Sequence, residues 1–218
     1  MKRLTLFAGH YGSGKTNIAV NYAMMLKQKG YDVIVADLDI VNPYFRTKDS
    51  ERELQEMGIE LISSKFANTN LDIPSLPQEM YRTVQDKSKY AVMDIGGDDA
   101  GAVALGRFAP FINEEDNYDM VFVVNFFRPL SRTAEEALEI MREVEASSKL
   151  RFTSIINNSN LGELTTAEDV LGTEAEALRL SELSGLPLKM TTVKESLYDE
   201  LNNKTKNIFC LALQNKIF

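Results

Sequence analysis

A chain of 218 residues with 44% hydrophobic content can bury one substantial core but is short for two, so a single domain over residues 1–218 is expected. The formal charge of −8, from 24 Lys and Arg against 32 Asp and Glu, opposes broad binding to a nucleic-acid backbone, which needs a basic surface. One cysteine, Cys210, excludes an internal disulfide framework or a thiolate-paired metal site. The absence of a long apolar run or leader-like start points to a cytoplasmic protein with no membrane span.

In chain order, the apolar run LTLFAG at residues 4–9 reads as a strand, and NIAVNYAMMLKQK after it reads as a helix closed by Gly30. DVIVADLD is a second strand, SERELQEM a helix stopped at Gly58, and IELISS a third strand. Pro77 fits the first turn of a helix over PQEMYRTVQD, followed by the strands YAVMDIG and MVFVVNF. Thr133 with Glu136 fits a capping box, and Ala137, Leu138, Met141 and Val144 behind it recur at helical spacing. The strand FTSIINN follows, then TEAEALRLSELS with Thr173 and Glu176 as a second capping box and Gly185 as the stop, then the strand LPLKMTTV. In the last segment, KNIFCLALQNKIF, residues Ile208, Phe209, Ala212, Leu213 and Ile217 fall at helical spacing. Packing on a sheet explains that spacing as well as a membrane-surface helix does. Alternating strands and helices imply βαβ units, and the nearly continuous apolar strands imply a mostly parallel sheet covered on both faces, an α/β fold of three layers.

GHYGSGKT, residues 9–16, fits GxxxxGK[ST] between the first strand and the first helix. Glycines let successive backbone N–H groups point inward, and the helix start adds positive dipole at the same place, so a polyphosphate fits there. Gly9, Gly12, Ser13, Gly14 and Asn17 belong to this cradle. Lys15 is the mobile cation for the outer phosphates, and the Thr16 hydroxyl is placed to ligate Mg²⁺. Asp37 and Asp39 end the second strand, at the edge where open parallel sheets bind ligands. One suits the Mg²⁺ shell, for which Asp37 is a candidate, and the other the attacking water. Asp94 ends YAVMDIG and can hold Mg²⁺, while Gly97 just after it can offer its N–H to a γ-phosphate. Asp98 and Asp99 are either part of that loop or solvated.

Together GHYGSGKT, ADLDIVNP and DIGG resemble the motifs of the MinD/ParA family of P-loop ATPases, in this order and over nearly the whole chain. The resemblance implies a P-loop NTPase fold that binds ATP and Mg²⁺, with Lys15 and Thr16 on phosphate and metal. It also implies Asp39 on the hydrolytic water and Asp94 with Gly97 as a moving loop. Asn157, at the end of FTSIINN, would read adenine. NNSN offers Asn158 and Asn160 where a guanine site needs a lysine and a carboxylate, which favours ATP over GTP. Family members of one type carry a further lysine that crosses a dimer interface, and here His10 and Tyr11 stand in its place. Either His10 serves a nucleotide-dependent homodimer in the lysine's stead, or His10 and Tyr11 shape the loop.

The expected function is an ATPase whose nucleotide state is read by a protein partner. Alternatives are an ATP-dependent ligase or kinase of the dethiobiotin synthetase or cobyrinic-acid amidation type, and a metal-centre maturation ATPase using Cys210 across a dimer axis. Arg128 and Arg132 follow the strand MVFVVNF, where they either touch a phosphate, substrate or partner or are solvated; Phe126 and Phe127 beside them are core or pocket wall.

Overall fold

The computed structural model describes residues 1–39, 51–63 and 77–212. Within them lie the strands β1 (Leu4–Ala8), β2 (Val33–Leu38), β3 (Glu60–Ser63), β4 (Tyr90–Ile95), β5 (Tyr118–Val124), β6 (Ser154–Asn157), β7 (Leu188–Lys194) and β8 (Ile208–Leu211). They form one sheet in the order β3-β2-β4-β1-β5-β6-β7-β8, and every neighbouring pair is parallel. The helices are α1 (Lys15–Gln28), α2 (Glu51–Glu56), α3 (Arg82–Gln85), α4 (Asp99–Gly106), α5 (Ala109–Glu115), α6 (Ala134–Ser148), α7 (Ala167–Gly172), α8 (Glu174–Ser184) and α9 (Tyr198–Leu201).

Period-two alternation in the strands divides the interior into two cores, as a sheet between helix layers requires. Leu4, Leu6 and Ala8 of β1 join one core with α3, α4, α5, α6 and α8, whereas Phe7 joins the other with α1 and α2. Ile34, Ala36 and Leu38 of β2 repeat the first set and Val33 and Val35 the second. Ile18 and Leu26 of α1 are fully buried in that second core, and together contribute on the order of 3–6 kcal/mol. The result is the three-layer α/β P-loop NTPase arrangement.

Three expectations change, the first at α6, where Thr133 caps the helix but Glu136 takes the Arg132 N–H, so no reciprocal box forms. Residues 208–211 form the edge strand β8, not a helix; Phe209 and Leu211 face the α1 core while Ile208 packs with Val193 and Leu201. That alternation is a strand's, and Asn207, with φ +54°, turns the chain into it. Leu213 and Ile217 lie outside the described residues. Asn21 of α1 holds the end of β8, donating to the Ala212 carbonyl at 3.0 Å and accepting from its N–H at 2.9 Å. Thr173 does not cap α8: its hydroxyl donates to Val170 O at 2.8 Å, and Glu176 instead accepts the Ala134 N–H of α6. The reciprocal capping box belongs to Thr166 and Asp169, at the start of α7.

At the amino end of the sheet, Arg3 is buried against Glu115, with Nε–Oε1 and Nη2–Oε2 distances of 2.5 and 2.6 Å. Its Nη1 donates to the carbonyls of Thr83, Asp86 and Lys89. Asp119 accepts from Lys189, Thr153 and Ser154 at the same end.

Candidate functional site

The carboxyl ends of β1, β2 and β4 converge where α1 begins. Asp37 lies opposite Asp94 across the β2–β4 ladder, and Phe7 opposite Asp94 across β1–β4. Asp37, Asp94 and Phe7 therefore share the α1 face of the sheet, and both carboxylates are buried. Asp37 Oδ1 accepts the Asp39 N–H at 2.9 Å, which fixes the chain as it leaves β2.

Residues 9–14 form the loop between β1 and α1. Gly14, with φ +87°, enters the helix in a left-handed conformation, and a Cβ there would collide with the Asn158 amide. Each of four successive carbonyls in the loop has a donor. His10 O accepts from the Ser13 N–H at 3.2 Å and from Lys15 Nζ at 3.0 Å. Tyr11 O takes the His10 Nδ1–H at 3.0 Å. Gly12 O takes Arg128 Nε at 3.0 Å, and Ser13 O takes Asn158 Nδ2 at 2.6 Å. The side chain of the single histidine thus bonds within the loop itself. Ser13 Oγ is buried with no hydrogen-bond partner among the described residues.

Lys15 starts α1 with its ammonium buried. Burial pushes its pKa below the usual lysine range, and the charges of Asp94, Asp39 and Asp98 act in the opposite direction. Thr16 and Asn17 follow on the first turn, and the Asn17 carbonyl and side chain both accept from Asn21.

Gly97 approaches this group directly. A Cβ at Gly97 would stand 2.7 Å from Tyr11 N and 2.8 Å from Lys15 Nζ, so only glycine fits there. Asp98 next to it caps α4, accepting the Gly101 N–H at 2.9 Å. It is a helix cap that also contributes negative charge near Lys15.

Asn157 lies at the end of β6, 1% exposed, with Nδ2 on Thr173 Oγ1 at 3.1 Å and Oδ1 taking the Ser159 N–H and hydroxyl. The side chain that joins this region to the phosphate loop is that of Asn158, whose Oδ1 also accepts from the Thr192 hydroxyl. Sequence reasoning missed this bridge, whose signal is only an amide placed after an apolar strand. Asn125, at the end of β5, ties its amide to Asn160 and to Phe127 N, and so sets the loop that carries Arg128. Phe126 is buried. Arg128 reaches the loop, whereas Arg132 bonds through its backbone N–H to Glu136.

Cys210 is half-buried on β8, where burial and then Glu195 raise its thiol pKa. Among the described residues no group of three or more His, Cys, Asp or Glu could hold a metal, and no helix is long and apolar enough to cross a membrane. Exposed apolar side chains include Tyr11 in the β1–α1 loop, 55% exposed, and Leu130 after β5, 66%, with Leu161 and Leu164 on the loop after β6.

The CobQ/CobB/MinD/ParA nucleotide binding domain model matches residues 4–175. No curated protein matches the chain. Among solved structures, FtsY from Mycoplasma mycoides is similar at a TM-score of 0.60 and 17% identity, over 88% of this chain and 61% of that one. FtsY from Thermotoga maritima gives 0.61 and 16%, over 87% and 61%. The signal recognition particle 54 kDa protein from Aeropyrum pernix, a complex with GDP, gives 0.55 and 18%, over 86% and 40%. At these identities the likeness is one of fold, and the chain spans about three fifths of the FtsY chains, from the 61% covered.

Proposed function

The chain belongs to the CobQ/CobB/MinD/ParA nucleotide binding domain family, and from that premise we propose that it is an ATP-binding, Mg²⁺-dependent ATPase whose nucleotide state is read by a protein partner. The observation that carries the proposal is Lys15: a buried ammonium at the start of α1, folded onto the His10 carbonyl beside Gly97 and near Asp94 and Asp39. A polyphosphate entering the loop gives that ammonium a better acceptor than a backbone carbonyl, because the bond becomes charged at both ends.

In this reading the backbone of Gly9 to Gly14 and the Lys15 ammonium bind the phosphates, and Asp39 orients the attacking water. Thr16, Asp37 and Asp94 would hold Mg²⁺. The lack of an all-protein metal cluster among the described residues suits a cation that takes most of its ligands from phosphate and water. When bound, Mg²⁺ would neutralise charge on the β- and γ-phosphate oxygens. Gly97 moves away from Tyr11 to admit the γ-phosphate, and that displacement travels into α4 through the Asp98 cap. Adenine recognition falls to Asn157, which exchanges the Thr173 hydroxyl for the base. The carboxylate that a guanine site needs is missing from NNSN. The exposed apolar residues, Tyr11 and Leu130 among them, offer a partner, or a second copy of the chain, a surface whose shape follows the nucleotide.

The test is displacement of a fluorescent nucleotide by ATP and by GTP with Mg²⁺, alongside phosphate release. ATP is expected to displace at the lower concentration, and Lys15→Ala to weaken binding about a hundredfold through loss of a charge-assisted bond. Unchanged affinity in Lys15→Ala would remove the site assignment, and a preference for GTP would remove the adenine assignment.

A further inference from the structure

Four acids, Asp37, Asp39, Asp94 and Asp98, gather about the phosphate loop, and the lysine within it is Lys15. A polyphosphate adds several more negative charges, which a second cation beside the loop would offset. Arg128 lies against the middle of the loop. Its Nε donates to Gly12 O at 3.0 Å, and Nε, Cδ and Cζ stand 3.4, 3.6 and 3.7 Å from where a Gly12 Cβ would be. Asn125 holds the preceding turn, taking the Arg128 N–H on its carbonyl and the Phe127 N–H on its side chain. Among the described residues, Arg128 makes no ion pair with a carboxylate.

An arginine presents five N–H donors in one planar fork, and its terminal pair suits phosphate as well as carboxylate. Here Nε is spent on a backbone carbonyl, and the two terminal nitrogens remain beside an anion-binding loop. Resting on the nucleotide reading above, we propose that Arg128 is a second cation of the phosphate site, supplied by the same chain from the loop after β5. Nε holds the Gly12 carbonyl, and the terminal nitrogens face the polyphosphate. The bond to Gly12 O also polarises the peptide unit that carries the next N–H of the loop.

The experiment measures ATP, ADP and AMP affinities of wild type, Arg128→Gln, Arg128→Lys and Lys15→Ala at two salt concentrations, with thermal melting of the nucleotide-free proteins as the folding control. Arg128→Gln is expected to bind ATP and ADP about tenfold more weakly, with a smaller loss for AMP and a weaker dependence on salt. Arg128→Lys keeps the charge and recovers most of the loss. Wild-type affinity in Arg128→Gln overturns the proposal, as does an equal loss for all three nucleotides, which would make Arg128 a strut for the loop. If Lys15→Ala also binds like wild type, the phosphate site itself fails; if only Arg128→Gln does, this inference alone fails.

Discussion

At the amino end of the sheet Arg3 meets Glu115 through two short bonds, and Asp119 meets Lys189. At the carboxyl end Asp37 and Asp94 are buried side by side, with Asp39 close behind, and the buried Lys15 ammonium donates to a carbonyl. The first end matches every buried charge with its opposite and tightens the fold. The second sets the carboxylates of Asp94, Asp39 and Asp98 around a cation that burial disfavours, the kind of perturbed cluster that candidate functional sites carry. The paired charges that tighten the fold and the candidate site thus lie at opposite ends of the strands.

The sharpest way to break that comparison is to make the same substitution at both buried cations. Arg3→Met leaves Glu115 buried without its partner and is expected to cost about 3–5 kcal/mol of unfolding free energy. Lys15→Met removes an ammonium that the fold disfavours, and its denaturant midpoint is expected to equal or exceed wild type. Equal losses in urea titrations would erase the distinction.

Acid sharpens the contrast next. Burial raises the Asp119 pKa, but Lys189, Thr153 and Ser154 outweigh it and hold the carboxyl below its usual range. A depressed folded-state pKa means a stabilisation that is complete above the unfolded value of about 3.9 and lost as the pH falls through the folded value. Wild type is therefore expected to lose more stability between about pH 5 and pH 3 than Asp119→Asn, and parallel losses would show the pairing to be inert. The smallest effect belongs to a helix cap. Thr133 accepts the Glu136 N–H at 3.2 Å, so Thr133→Ala is expected to cost about 1 kcal/mol, or roughly 2–4 °C in melting temperature.

The carboxyl end was the more legible in the sequence. GHYGSGKT is local, its geometry written in glycines within one turn, and Asp37 and Asp94 stand at the ends of apolar runs whose length marks them as strands. β8 was not legible, because a four-residue strand and a helical stripe share the pattern of Ile208, Phe209 and Ala212. Nor were α4, α5 and α7, each too short for a helical period to declare itself. The donors that hold the phosphate loop from outside were the least visible. Arg128 and Asn158 lie 116 and 145 residues from the carbonyls they bind, and only the placing of β5 beside β1, with β6 next to β5, brings them there. Arg3 likewise gave no hint of Glu115, which lies 112 residues away on α5.

The place of β1 in the sheet has a consequence for how the protein comes into being. Leu4 pairs with Ala91 on one side and Tyr118 on the other, so β1 gains its first neighbour only once β4 has been made and its second only once β5 has followed. Its apolar residues must wait as nascent chain, and closing loops of that length slows folding. The phosphate loop directly behind β1 can take no shape until β4 and β5 arrive, so nucleotide added during synthesis is expected to act on the last stage of folding.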